Sequence, residues 1–180
     1  EGVGAANGEA DEIQVNESFS IADPANPPIG RAALGAYSGI EVLRYTGSEN
    51  VTLIGNKLVN TLVSGDGADS LVGGEGADYL IGGNGDDTYV YNGGDILIEA
   101  NGEGLDEVQS GEDIDLSNSE NIENIVLTGS LGIGAAGNAS DNSILGNSNS
   151  NVLEGGDGDD TLVGLDGDDK LIGGSGSNSL

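Results

Sequence analysis

Apolar residues recur along much of this chain at intervals of nine. In frames of nine from Thr46 to Val90 and from Gly137 to Leu180, the eighth position is always apolar or aromatic. It reads Leu53, Leu62, Leu71, Leu80 and Tyr89, then Ile144, Leu153, Leu162, Leu171 and Leu180. The three-residue tail around each of these is too short for a helix and favours β structure. Its middle residue faces one way and its neighbours the other. The rest of each frame is glycine and polar residues, which supply turns. A strand, a turn, a second strand and a second turn therefore make one coil of two frames. Stacked coils place each frame beside the next but one, and the eighth positions fill a narrow interior. A single frame cannot bury its own apolar face, so stability must come from stacking.

The polar positions are as regular as the apolar ones. The sixth position is Asp or Asn in every frame except the first, where it is Val51. Stacking aligns Asp69 with Asp87. Carboxylates so placed repel unless something lies between them. Turn carbonyls that glycine frees from the sheet point toward the same gap. Oxygen ligands of this kind suit Ca²⁺, which tolerates irregular coordination, better than Mg²⁺ with its strict octahedron.

Composition narrows the reading. The 180 residues include 34 Gly, 32 acids and 4 basic residues, a net charge of −28. Such a chain opposes its own compaction unless cations neutralise it. It is a poor partner for nucleic acid, whose phosphates demand basic surface, and no apolar run has the length of a membrane span. There is no Cys or His, which excludes disulfides, the usual zinc sites and a Ser-His-Asp triad within the chain. The acids with a regular address already have a metal-binding use. Lys57 and Lys170 read as surface lysines, and no enzyme activity is expected. Asp159 and Asp168, in fifth positions, read as turn formers. Tyr79 is expected outside, and Tyr89 inside as a cap on the first array.

The frames GGEGADYLI (73–81), GGNGDDTYV (82–90), GGDGDDTLV (155–163) and GLDGDDKLI (164–172) resemble the RTX nonapeptide, G-G-x-G-x-D-x-U-x with U large and aliphatic. The resemblance implies a right-handed parallel β-roll that binds Ca²⁺ in its turns. It also implies secretion by a Gram-negative bacterium, often through type I export, and folding outside the cell. Carried over by position, the ligand aspartates are Asp69, Asp78, Asp87, Asp160 and Asp169. The turn glycines that go with them are Gly65, Gly67, Gly73, Gly74, Gly76, Gly82, Gly83, Gly85, Gly155, Gly156, Gly158, Gly164 and Gly167. Asn142 and Asn151 fall at the same position but carry no charge, and Asn60 and Asn178 do likewise, so those sites are expected to be weaker or empty. Leu165 replaces the second glycine of its frame. Two roles fit the resemblance: a structural calcium module of an adhesin, S-layer or other long exoprotein, or a roll accessory to a secreted lipase, protease or polysaccharide epimerase. Partners expected are calcium ions and neighbouring repeats. Surface polysaccharide stays open as a partner, although Phe19 and five Tyr supply few rings for it.

A larger repeat lies above the small one. DEIQV (11–15) is echoed by DEVQS (106–110), and IEVLRYTG (40–47) by IENIVLTG (122–129). Each echo leads into nonapeptides, which divides the chain into 1–90 and 91–180, each a flanking β segment followed by a roll. The first copy is longer, with the extra residues expected in a proline-bearing loop over 22–39. The flanking strands are expected to continue the solenoid with longer, less regular coils. Ile96 and Ile98, and Ile125 and Leu127, are expected on their buried faces, with Ala135 and Ala136 at the join. Both ends are expected to be cuts in a longer array.

Overall fold

A computed structural model describes residues 12–15, 31–33 and 39–180. The loop expected over 22–39, with its prolines, lies almost wholly outside the described residues, as does Phe19. The strands in chain order are β1 (Glu12–Val15), β2 (Arg31–Ala33), β3 (Val42–Tyr45), β4 (Thr52–Ile54), β5 (Thr61–Val63) and β6 (Ser70–Val72). Next come β7 (Tyr79–Ile81), β8 (Thr88–Tyr91), β9 (Ile96–Ile98), β10 (Glu107–Ser110), β11 (Ile114–Asp115) and β12 (Asn124–Leu127). The last are β13 (Gly134–Ala136), β14 (Ser143–Leu145), β15 (Val152–Asp157), β16 (Thr161–Val163) and β17 (Lys170–Ser175).

Every paired strand pairs in parallel with the next but one, so the chain is an all-β parallel solenoid. The even strands β2 to β16 form one uninterrupted sheet of eight, while the odd strands form a sheet of five (β1 to β9) and a sheet of four (β11 to β17). The eighth positions build the interior as predicted. On the long sheet Ala32, Leu53, Leu71, Tyr89, Val108, Ile125, Ile144 and Leu162 stand in one register line. On the other face Leu43, Leu62, Leu80 and Leu97 make a second line. From Leu53 to Leu162 the long-sheet residues are 0–1% exposed, so the interior is dry. Each buried Leu or Ile contributes about 1.5–3 kcal/mol. Leu171 is half-buried and Leu180 exposed.

The glycine motif stops after Val90, but the coil does not. Hydrogen bonds across successive coils step by 18, 19 and 17 residues through this stretch. The non-repeat segment thus continues the stack with less regular coils, as expected, but steps of 19 and 17 residues make them no longer on average than the nonapeptide coils. Tyr89 is therefore no cap: it sits inside, between Leu71 and Val108. The expectation for Ile96 and Ile98 is also corrected. Both are exposed, and Leu97 between them is buried, because Leu80 pairs with Leu97 and carries the interior register across. Ile125 and Leu127 are buried as expected. Ala135 takes an interior place between Ile114 and Leu153.

The sequence echoes fall on opposite faces. Strand β1 of the first echo lies in the five-stranded sheet and β10 of the second in the eight-stranded sheet. The same holds for β3 and β12, and for β5 and β14. The two copies are out of phase by half a coil.

Candidate metal centre

The sixth-position residues stand at the turn-to-strand corners, one above another. Oδ1 of each repeat aspartate, and of Asn178, accepts the backbone N–H of its counterpart one coil earlier. Along the long sheet Val51 N–H donates to Asp69 at 2.7 Å, Asp69 N–H to Asp87 at 2.7 Å, and Asp87 N–H to Asp106 at 2.8 Å. Further on, Asn142 N–H donates to Asp160, and Asp160 N–H to Asn178, both at 2.8 Å. The opposite corner repeats the arrangement, with Asn60 N–H on Asp78 at 2.7 Å and Asn151 N–H on Asp169 at 2.8 Å. This explains why only Asp or Asn serves there: a buried corner N–H must find an acceptor, and a short side chain with a planar oxygen reaches it.

Asp and Asn then part company. The amide of Asn142 donates to Ile122 O at 2.9 Å, that of Asn151 to Ile133 O at 2.9 Å, and that of Asn60 to Ile40 O at 3.1 Å. Their Oδ1 atoms accept instead from their own turns, at Asn56, Asn138 and Asn147. Asn142 and Asn151, expected as weak ligands, thus have both amide ends on protein partners. The aspartates have no such partner for their second oxygen: Oδ2 of Asp69, Asp78, Asp87 and Asp160 is buried without a hydrogen bond. A buried anionic oxygen left unpaired is costly, so these atoms call for a cation.

The glycines of the motif stand at close approaches between turns. A Cβ on Gly73, Gly82, Gly155 or Gly164 would overlap the carboxylate of its own frame, at Asp78, Asp87, Asp160 or Asp169. Gly74, Gly76, Gly83, Gly85, Gly156 and Gly158 lie against carbonyl oxygens of the turn below, and Gly65 and Gly67 against residues 47–50. Gly167 lies against Asn149. Turn therefore rests directly on turn. Gly85 has φ +123°, which a side chain would resist. Leu165, where the motif wants its second glycine, is held at φ 71° and is 58% exposed. That backbone costs an L-residue about 1–2 kcal/mol, and little packing is lost on removing the side chain. Leu165→Gly should therefore raise stability by about 0.5–1 kcal/mol after glycine's own entropy cost. A urea midpoint that falls would contradict this.

Burial pushes Asp69, Asp78 and Asp95 above the usual carboxylate range. Asp87 is pushed up to about 7 by burial, with Asp69 and Asp106 adding repulsion. Asp106 rises to about 6 and Glu99 to about 8, again chiefly through burial. Fifth-position acids do different work: Asp159 is exposed and accepts Ser177 N–H at 2.7 Å, which holds a turn.

Three acids at these corners, Asp95, Asp106 and Glu99, were not among the expected ligands. Asp95 and Asp106 carried a signal. Each stands two residues before an interior residue, Leu97 or Val108, as Asp69 does before Leu71. Glu99 carried none.

The parallel solenoid and its columns of unpaired turn carboxylates define a class: a calcium-binding repeat roll. A model of the RTX calcium-binding nonapeptide repeat matches the chain in four copies, over residues 63–95 and 145–180. The coils within those two stretches are RTX calcium-binding repeats, and they stack in one parallel β-roll with the coils between them. No curated protein and no solved structure matches it.

Proposed function

We propose that this chain is the structural module of a secreted or surface-exposed bacterial protein, an adhesin, S-layer or other long exoprotein, that folds on binding Ca²⁺ outside the cell. One observation carries the reading: the repeat aspartates present buried, unpaired Oδ2 atoms in columns along the turns. Asp69, Asp78, Asp87 and Asp160 would hold the ions, with Asp169 at the end of its column, beside turns that glycine keeps free of side chains. Bound Ca²⁺ supplies the positive charge that lets these carboxylates stay ionised at close quarters. Oxygen ligands of mixed carboxylate and carbonyl type suit it better than Mg²⁺. The division into 1–90 and 91–180 belongs to this reading as two copies of one unit, turned half a coil apart.

Titrating Ca²⁺ into the metal-free chain, followed by circular dichroism and calorimetry, tests the proposal. Sheet signal should appear with a midpoint near about 10⁻⁴–10⁻³ M, the range of extracellular calcium modules, and Mg²⁺ should substitute poorly. Asp87→Asn keeps the Oδ1 acceptor for Asp69 N–H and removes only the charge. It should weaken binding at least about tenfold, whereas Asp159→Ala should leave binding nearly unchanged. Equal effects of the two substitutions would contradict the ligand assignment.

A further inference from the structure

Where the first nonapeptide array meets the irregular coil, the column of carboxylates changes character. Asp87 is the last repeat aspartate there. The next coil offers Asp106 and, from the far end of its turn, Glu99. One oxygen from each of the three lies within 4.8 Å of the others. Asp87 and Asp106 are each 1% exposed. Oδ2 of Asp87 and Oε2 of Glu99 are both buried without a hydrogen-bond partner. Three of the other oxygens are spoken for: Asp106 Oδ1 takes Asp87 N–H, Asp87 Oδ1 takes Asp69 N–H, and Glu99 Oε1 accepts the Tyr89 hydroxyl. The Tyr89 oxygen in turn accepts Gly82 N–H at 2.8 Å. Tyr89 thus positions Glu99 from the interior side. Glycine at 82 leaves the space open, since a Cβ there would overlap Asp87 Oδ2, the Tyr89 hydroxyl and Glu99 Oε1.

We infer that Asp87, Glu99 and Asp106 form a distinct Ca²⁺ site, built from one repeat turn and one non-repeat turn, that joins the first array to the irregular coil. With no cation among them, three carboxyl groups crowd a buried pocket where they must repel or take up protons, and no basic side chain hydrogen-bonds or ion-pairs with them among the described residues. Oxygens on opposite sides of one Ca²⁺ stand about 5 Å apart, so the spread of this cluster fits a single ion. The repeat turns bring fewer charged groups together. Affinity rises with ligand charge and rigidity, so this site fills first. The inference rests on the calcium reading above but adds two ligands, Glu99 and Asp106, that lie beyond the nonapeptide motif.

Tb³⁺, which replaces Ca²⁺ at oxygen sites and is excited through nearby tyrosine, provides the probe. In the intact chain the first phase of a Tb³⁺ titration should show tyrosine-sensitised emission, and Ca²⁺ should displace it. Glu99→Gln and Asp106→Asn should each weaken that phase at least about tenfold while the later phases persist. Both substitutions retain hydrogen-bond acceptors, Asp106→Asn the one for Asp87 N–H, and circular dichroism in saturating Ca²⁺ would confirm folding. Tyr89→Phe should remove the sensitised emission of the first phase. An unchanged first phase in Glu99→Gln, with Asp69→Asn still weakening later phases, overturns the junction site alone. Absence of any Ca²⁺ response in the intact chain overturns the repeat reading as well.

Discussion

Stripped of divalent cations at pH 7.5, the chain should lose its parallel sheets and its cooperative unfolding transition. The charge is −28 over 180 residues, and the acids that matter most stand in columns with buried, unpaired oxygens at Asp69, Asp78, Asp87, Glu99 and Asp160. A ligand that binds only the folded form stabilises it by about 2.7 kcal/mol per site at a hundred times its dissociation constant. Two or three such sites reach roughly 5–8 kcal/mol, comparable with the entire stability of an ordinary domain. The nonapeptide coils cannot make up the difference by themselves, since each encloses only two apolar residues, such as Leu71 and Leu80, and 34 glycines must be ordered. Hydrogen exchange and circular dichroism in chelator, set against 10 mM Ca²⁺ as about a ten- to hundredfold excess over such sites, would measure this. Full sheet signal with protected core amides in chelator would refute it.

The metal-free chain should regain structure as the pH falls from 7.5 toward 4.5, opposite to the behaviour of a protein whose acids are salt-bridged. In the fold Asp87 titrates at about 7, Asp106 at about 6 and Glu99 at about 8, whereas free carboxyls titrate near ~4. Between those values the folded state binds more protons than the unfolded one, so stability falls as pH rises through this window and is regained as pH drops. Every tenfold gain in proton affinity on folding corresponds to about 1.4 kcal/mol, and the three groups titrate as a coupled set. With Ca²⁺ bound the sign reverses, because protons then compete for the ligands. General relief of charge repulsion on acidification would push in the same direction. Replacing the trio by Asn, Gln and Asn separates the two effects: the pH dependence between about 6 and 8 should flatten, while a contribution from net charge would remain. A metal-free chain less structured at pH 5 than at pH 7.5 would sink the prediction.

Much of this was legible along the chain because the solenoid turns contacts between distant residues into contacts at a constant sequence spacing. Asp69 meets Asp87 because both sit in the same slot of frames one coil apart. Leu71 and Tyr89 pair for the same reason. What the motif hid was its own continuation. Asp95 and Asp106 keep the corner position, and Gly93, Gly102 and Gly104 keep part of the turn signature before them, but turns of unequal length break the nine-residue phase that would have revealed them. Ile96 and Ile98 misled because alternation alone cannot say which set faces inward (Leu97 does) until a neighbouring strand sets the register.

The sequence by itself determined the coil of two nonapeptides, the interior line of eighth-position residues and the oxygen-rich turns of a calcium-binding repeat. Each depends on spacing and residue type, which the chain carries openly. Tertiary structure alone decided which corner oxygens find partners. The amides of Asn60, Asn142 and Asn151 reach carbonyls of the preceding coil, while the aspartates beside them are left with a bare oxygen. It also decided that the two sequence copies face opposite ways, and that Glu99 enters the pocket of Asp87 and Asp106. Those outcomes depend on turns of unequal length between Val90 and Gly137, and a change of one residue in a turn moves a side chain to another face of the stack.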